Sequence, residues 1–483
     1  MRILMLPLVL ALSACSLTPP LVKPQAPVPT VFPDAAAPEV ATGHAADLGW
    51  RAMFGDPRLQ HLIALALEHN RDLRLAALNV EAVQALFRIQ RAARLPGVGV
   101  EASATRERTV ATTVGGTSSP SAVQEQLSVG LGLSAFEIDL FGRVRALSDA
   151  AFARYLASEQ GHRATQIALV GAVADAYFAE RLAQEQRQLA EHTLADWRQS
   201  MALAHLLRQA DQSSGLDVAQ AEGQVATAEA DLEARQRAQA RARNALALLV
   251  GTELPTELPA PLALDAQPLL TRLPAGLPSD LLARRPDILQ AEQNLVAANA
   301  NVGATRALYY PSVSITGLLG SVSTAFSSLF TGPASAGLIA AGVSGPIFTF
   351  GGIEGPVSSA EAQNRQALLL YQQTILNAFR ETNDALTGSQ KKIEEVALQG
   401  KRVDALREFA RLSKLRFDKG VAAYLDVLVA ENELFAAELA GVRLLADRYT
   451  QLVNVYQAMG GGWVDIAAST TPTPQSTITA EAQ

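Results

Sequence analysis

The chain has 483 residues, 49% hydrophobic but only 5% aromatic, with a formal net charge of −7. The acidic balance argues against a duplex-binding protein, and the single cysteine excludes an intrachain disulfide framework and a cysteine-based zinc site. Alanine supplies 87 residues, which points to long helices packed through small side chains rather than to a sandwich.

The chain opens with MRILMLPLVLALSAC, in which Arg2 precedes an apolar run from Ile3 to Ala14. That run is too short for a transmembrane helix and suits a signal peptide over residues 1–14. Cys15 follows Leu12-Ser13-Ala14, and the run resembles the lipobox of bacterial lipoproteins. The resemblance implies cleavage before Cys15 and its acylation, a firm anchor at ~0.8 kcal/mol per buried methylene. A plain signal peptide with an incidental cysteine is the alternative. Ser16 implies, for that class, sorting to the outer membrane. Residues 15–55 are expected to hold the lipid anchor and a tether, which seven prolines between positions 18 and 38 would keep extended.

The body reads as a repeat. Asn70-Arg71-Asp72-Leu73 aligns with Arg285-Pro286-Asp287-Ile288, and Pro96 with Pro311, both at an offset of 215. Leu140-Phe141-Gly142 aligns with Thr349-Phe350-Gly351, and Leu216-Asp217-Val218 with Leu425-Asp426-Val427, both at 209. One six-residue indel explains the change. The repeats are placed at 56–251 and 281–463. A proline-rich linker at 252–280 joins them, and a disordered tail follows at 464–483.

Each repeat runs leading helix, Gly/Ser/Thr-rich segment, long helix, returning helix. Arg58–Leu95 lacks proline and glycine and reads as the first leading helix. Arg143–Asp211 and Val357–Lys419 read as rods of about 100 and 95 Å. Their returns, Leu216–Val250 and Tyr424–Met459, are about half that length. A leading and a returning helix are therefore expected to stack end to end beside each rod. Ile167, Val170, Ala174 and Tyr177 form one apolar stripe, and Leu169, Val173 and Ala176 a second. Two stripes suit a closed ring of helices, whereas a two-stranded coiled coil needs one.

Ala307–Ile353 holds no charged residue in 47 positions but is broken by glycine and proline. Val313-Ser314-Ile315-Thr316 alternates, as do Leu127, Val129, Leu131 and Leu133 with Ser128, Gly130, Gly132 and Ser134. Such alternation marks outer-membrane strands, with soluble hairpins as the alternative. Arg106, Glu107 and Arg108 are expected nearer the loop or lumen. Two hairpins give four strands, which cannot close a barrel, and bacterial barrels need at least eight. The barrel must then be shared between copies, and a water-filled pore favours three or more.

The lipobox, the duplicated plan, the Phe-Gly pairs, the Leu-Asp-Val turns and the closing Gly460-Gly461-Gly462-Trp463 together resemble the TolC/OprM-like outer-membrane factors, in their NodT-type lipoprotein branch. The resemblance covers about residues 15–463. It implies a mainly α fold with membrane β: a homotrimer whose 12-stranded β-barrel continues into a 12-helix periplasmic α-barrel. It implies the exit duct of a tripartite efflux system, anchored in outer-membrane lipid, joined by a periplasmic adaptor to an inner-membrane pump of RND type. No enzyme activity and no cofactor are implied. It places the periplasmic aperture at Leu425 and Asp426, with Asp217 as a further candidate, and capping is the other role open to both aspartates. Val429 stands where the family often has a second aspartate. Phe141, Gly142, Phe350 and Gly351 would shape the strand-to-helix transition.

The six histidines show no HExxH spacing, and no GxSxG elbow or P-loop occurs. Gly97-Val98-Gly99 and Gly130-Leu131-Gly132 fall in expected strands, not at a phosphate cradle. The five methionines are scattered, which favours small organic compounds as cargo. Metal-ion efflux, polypeptide secretion and a lipid-anchored periplasmic coiled-coil scaffold are the alternatives.

Overall fold

The computed structural model describes residues 16–22, 27–29, 49–114, 117–119, 121–268 and 284–461. Cys15, the later part of the linker, Gly462-Trp463 and the tail lie outside the described residues. The chain forms two compact units. One takes Asn79–Glu159, Gln290–Tyr371 and the N-terminal segment, and the other takes the remainder.

The second unit is helical. The leading segment is not one helix but two, α1 (Pro57–His69) and α2 (Arg71–Ala92), broken at Asn70, and α2 runs on into the first unit. No proline or glycine makes that break. The Asn70 amide closes α1 on the Ala66 carbonyl at 2.8 Å. Its Oδ1 accepts from the Leu73 amide at 3.0 Å, which starts α2. Its Nδ2 donates to the Leu249 carbonyl at 2.8 Å, in the last turn of α4 (Gly215–Val250). Gly251 ends α4 at φ 80°, and a Cβ there would lie 2.7 Å from the His69 carbonyl oxygen. One buried asparagine thus joins three helix ends, and the returning helix meets the leading one end to end.

The same joint recurs in the second repeat. Arg285 precedes α5 (Pro286–Arg306) and donates to the Ala458 carbonyl at 3.1 Å, the last residue of α7 (Tyr424–Ala458). Gly460, at φ 83°, lies against the Arg284 carbonyl. Asn70 and Arg285 differ by 215, while Leu249 and Ala458 differ by 209, the two offsets found in the sequence. Asp287 and Glu381 hold the Arg285 guanidinium, with Nη2 at 2.7 and 2.8 Å from their oxygens.

The rods are α3 (Arg143–Gln209) and α6 (Glu354–Asp418), within a few residues of expectation. Both stripes of α3 are engaged: Ile167, Leu169, Val170, Val173, Ala174 and Tyr177 are buried in one core with Leu59, Leu62, Val250 and Tyr449. The rings of Phe178 and Tyr449 stack at 4.9 Å. Asp56 caps α1 through the Arg58 amide at 2.8 Å, and its other oxygen accepts from Tyr177 at 2.5 Å. Buried alanines let the helices approach, as at Ala378, Ala430 and Ala437.

In the first unit, strands β1 (Val98–Thr109), β2 (Ala122–Ile138), β3 (Ser312–Ser323) and β4 (Ser335–Ser344) form an antiparallel sheet in chain order. Register sorts the side chains by face. Val98, Val100, Ala102 and Ala104 stand opposite Leu133, Leu131, Val129 and Leu127. On the other face Glu101, Ser103 and Thr105 stand opposite Gly130, Ser128 and Gln126. A bulge between Leu133 and Phe136 shifts parity, so Phe136 and Ile138 meet Ile315 and Val313 and the apolar face continues. That face is exposed, with Val100 at 76% and Ile339 at 86%. Arg106 lies within β1 and pairs with Glu125 across the hairpin at 3.2 Å. Among the described residues no helix is long and apolar enough to cross a membrane.

The helical segments of this unit pack through small residues at heptad spacing, Ala146, Ala150, Ala153 and Ala157 on α3. The expected tether is, over its described first residues, a docked segment. The Pro19 carbonyl accepts from Asn299 Nδ2 at 2.8 Å, and Thr18 lies so close to Gly303 that a Cβ there would sit 2.7 Å from the Thr18 Cα. Glycine at 303 is what admits that backbone.

Asp175 on α3 is half-buried, and its Oδ1 has no hydrogen-bond partner among the described residues. Burial pushes its carboxyl up to about 6, against a bond to Thr450 that lowers it. The folded state therefore holds a proton more tightly than the unfolded chain. The stabilising contribution is full below the ordinary value of 3.8 and is lost as pH rises through about 6. Asp175→Asn is expected to raise the thermal midpoint at pH 7.5 and flatten its pH dependence between 4 and 7. Unchanged melts across that window would refute the assignment.

Two further outcomes follow from the joints and the sheet. Asn70→Ala leaves the Leu73 amide and the Leu249 carbonyl unpaired, at roughly 1–3 kcal/mol each, and Asn70→Asp restores only the acceptor. Both are expected to lower the midpoint of denaturant unfolding. Val100→Arg places a charge on the apolar face, which costs about 2–4 kcal/mol at mid-bilayer, whereas Ser103→Arg points the other way. Heat-modifiability on gels reads the folded fraction, and equal losses for the two would refute the facing.

The helical tip as a candidate aperture

Each rod turns into its return through the same backbone device. Asp211 adopts φ 57° and Gly420 φ 70°. The Gln212 amide donates to the Leu207 carbonyl at 2.8 Å, and the Val421 amide to the Arg416 carbonyl at 3.0 Å. These pairs again differ by 209. A left-handed residue with a bond back into the last turn is how an α-helix ends without orphan carbonyls.

After the turn the repeats diverge. Ser214 caps α4: its Oγ accepts from the Asp217 amide at 3.2 Å. Asp217 Oδ2 in return accepts from the Ser214 amide and the Ser213 hydroxyl, both at 2.9 Å. These bonds, the Ser214 amide first, hold the Asp217 carboxyl below its ordinary value. Asp217 thus takes the capping role, which is compatible with its lining the aperture as well. The Ser-x-x-Asp spacing carried that signal in the sequence.

Asp426 occupies the equivalent position on α7 and has no such partner. The N-cap of α7 is Ala423, and no side chain caps it. Asp426 is exposed, as are Leu425 at 52% and Val429 at 45%. They share one face of the first two turns, while Tyr424, Val427 and Leu428 are buried on the other. The first two turns of α7 thus offer an apolar residue, a carboxylate and a second apolar residue on one side.

Tyr424, in the sequence only the first residue of the returning helix, is buried at this turn. Its ring lies 5.5 Å from that of Phe417 and packs with Ala204, Ala221 and Leu428. Burial raises its phenol above the ordinary value, ahead of repulsion from Glu431 and Asp217. Two turns on, Glu431 faces Asp196 and Trp197 of α3 and Lys414 of α6, and burial raises its carboxyl too.

The strand-to-helix residues lie in the first unit. Gly142 and Gly351 adopt φ 75° and 89°, where only glycine is unstrained. Phe141 stacks on Tyr310 at 4.6 Å. Phe350 is fully exposed at φ 46°, a strained state worth about 1–3 kcal/mol for a side-chain-bearing residue. Among the described residues no cluster of histidine, cysteine, aspartate or glutamate could hold a metal ion.

A sheet with one exposed apolar face, carried with helices far longer than a globular core needs, defines an outer-membrane channel subunit. Comparison with known proteins agrees. Residues 62–252 and 277–461 match the outer membrane efflux protein family. The toluene efflux pump outer membrane protein TtgC of Pseudomonas putida is 41% identical over 460 residues, 94% of each chain. The antibiotic efflux pump outer membrane protein ArpC of Pseudomonas putida has the same identity and coverage. The open-state crystal structure of the MtrE outer membrane channel from Neisseria gonorrhoeae superposes with a TM-score of 0.84 at 35% identity. That match covers 93% of this chain and 98% of that one. The chain belongs to the outer membrane efflux protein family, and it is an outer-membrane protein.

Proposed function

We propose that three copies of this chain form the outer-membrane exit duct of a tripartite efflux system. The observation that carries the reading is the sheet: four strands, one apolar face, and β1 and β4 at its edges. In hydrocarbon each unpaired backbone group costs several kcal/mol, so edges must be closed. Three copies pairing β4 of one with β1 of the next give twelve strands, enough for a water-filled lumen. Native mass spectrometry is expected to give a trimer, and a monomer would end the shared-barrel argument.

The duct joins a periplasmic adaptor and an inner-membrane pump, which supplies the energy. Cargo passes without covalent chemistry, so no residue is assigned a catalytic role. The relatives' names cite toluene and antibiotics, which supports small organic compounds as cargo. Tolerance to both, restored in a strain lacking its own channel but holding the cognate adaptor and pump, tests this. The repeats at 56–251 and 281–463 each supply two strands and two tunnel helices. Acylated Cys15 holds the N-terminus to the membrane, and a Cys15→Ser chain is expected to stay membrane-bound through its strands.

Leu425 and Asp426 form the periplasmic aperture. Three like carboxylates around a narrow axis attract cations. Asp426→Asn is therefore expected to lower the cation-over-anion permeability ratio in planar bilayers. An unchanged ratio would remove Asp426 from the conduction path.

A further inference from the structure

The offset of 209 carries side-chain contacts as well as backbone turns. Arg198 of α3 meets Glu229 of α4 at 2.7 Å, and Arg407 of α6 meets Glu438 of α7 at 2.8 Å, each partner 209 residues on. The first rod also packs on the return of the second repeat. Ile167 of α3 lies against Gly461, Gly171 leaves the room that the Gln457 side chain fills, and Asp175 bonds to Thr450. Adding 209 to the α3 residues gives Leu376, Arg380 and Asp384 on α6. Subtracting it from their partners gives Thr252, Leu248 and Arg241, on α4 and just past it. The first set is buried or half-buried, whereas all six equivalents are exposed, Leu248 at 77%.

We infer that α6 of one copy packs on α4 of the next as α3 packs on α7 within the chain, and that Asp384 of one copy forms an ion pair with Arg241 of the next. The inference rests on the three-copy reading above and names the residues that meet at its seam. In the sheet the same two repeats meet, β4 of the second with β1 of the first. One head-to-tail contact repeated around an axis closes a ring. The chemistry changes with the partner. Within the chain a half-buried carboxylate meets a hydroxyl, and burial raises that carboxyl to about 6. At the seam an arginine stands where the threonine was, so the Asp384 charge is matched as it is covered. Arg380, one turn earlier, already holds Asp384 at 3.1 Å, and its stem covers Leu248 of the next copy. The first unit repeats the relation. Phe141 stacks on Tyr310, the residue before Pro311. Their equivalents are Phe350, at 209, and Leu95, at 215, which are 100% and 71% exposed. Phe350 of one copy seats on Leu95 of the next.

Crosslinking of the full-length chain in detergent tests the seam. Arg241→Cys with Asp384→Cys, in a Cys15→Ser chain, is treated with a short bis-methanethiosulfonate. The expected result on denaturing gels is a ladder of joined copies ending at the trimer. Asp175→Cys with Thr450→Cys, the equivalent pair within one chain, is expected to react without a ladder. A trimeric native mass with no ladder from the 241/384 pair, while the 175/450 pair reacts, would overturn the seam and leave the three-copy reading standing. So would reaction of the 241/384 pair inside one copy. A monomeric native mass would end both. The ion pair has its own measurement, the temperature at which the trimer separates on native gels. Arg241→Ala and Asp384→Ala are each expected to lower it, and the double variant to lower it no further than the larger single loss. Losses that simply add would overturn the pairing.

Discussion

The structure depends on ending one helix against the start of another without leaving backbone groups unpaired. Beside a rod of 67 residues, this chain lays shorter helices end to end. Each helix end brings up to four orphan groups to the junction. Asn70 resolves this with one side chain that both donates and accepts. Arg285 resolves it with a donor, and Asp287 supplies the acceptor for the Ile288 amide at 2.9 Å. In both joints a left-handed glycine brings the ending helix against the beginning one. Remove that geometry and the flanking helices would have to be single rods, with no place for the core between them.

A second constraint acts on the sheet. Its outward face must be apolar over a height set by the bilayer, and its inward face must tolerate water. The sequence alternates in odd positions up to Leu133 and in even positions from Phe136. The bulge between them keeps the apolar face on one side. Gly132 matters on the other face, where a Cβ would lie 2.9 Å from the Glu101 carboxyl carbon, so the small residue makes room for the acid across the strand pair.

The repeat was legible because its marks are local. The two offsets recur in the joints and tip turns, each of which needs a particular residue at a particular backbone angle. The break at Asn70 was not legible, since the bond that fixes it runs to Leu249, 179 residues away. The docking of Thr18 and Pro19 was hidden for the same reason: a proline-rich run reads as tether until Gly303 and Asn299 are beside it. Capping by Asp217 was legible as one of its two roles and is marked by its spacing from Ser214. The packing of Tyr424 on Phe417 and Ala204 was not, because a tyrosine at the start of an apolar helix carries no mark of what lies beside it.

Duplication makes such differences interpretable. Two copies of one plan face the same backbone problem, so wherever they agree the shared feature is explained by folding. The joints agree in geometry though not in residue, and the left-handed glycines before α3 and α6 agree in both. The copies part at the tip, where Ser214 and Gly215 become Ala423 and Tyr424, and before α6, where Phe350 is fully exposed while Phe141 is stacked on Tyr310. Folding alone would have been served by the first solution twice. At the tip the second copy gives up a local cap, worth about 1 kcal/mol, and replaces it with a contact that exists only while α3 and α6 are together. That exchange makes the order of one turn conditional on its neighbours, a dependence that the capping box of the first turn avoids.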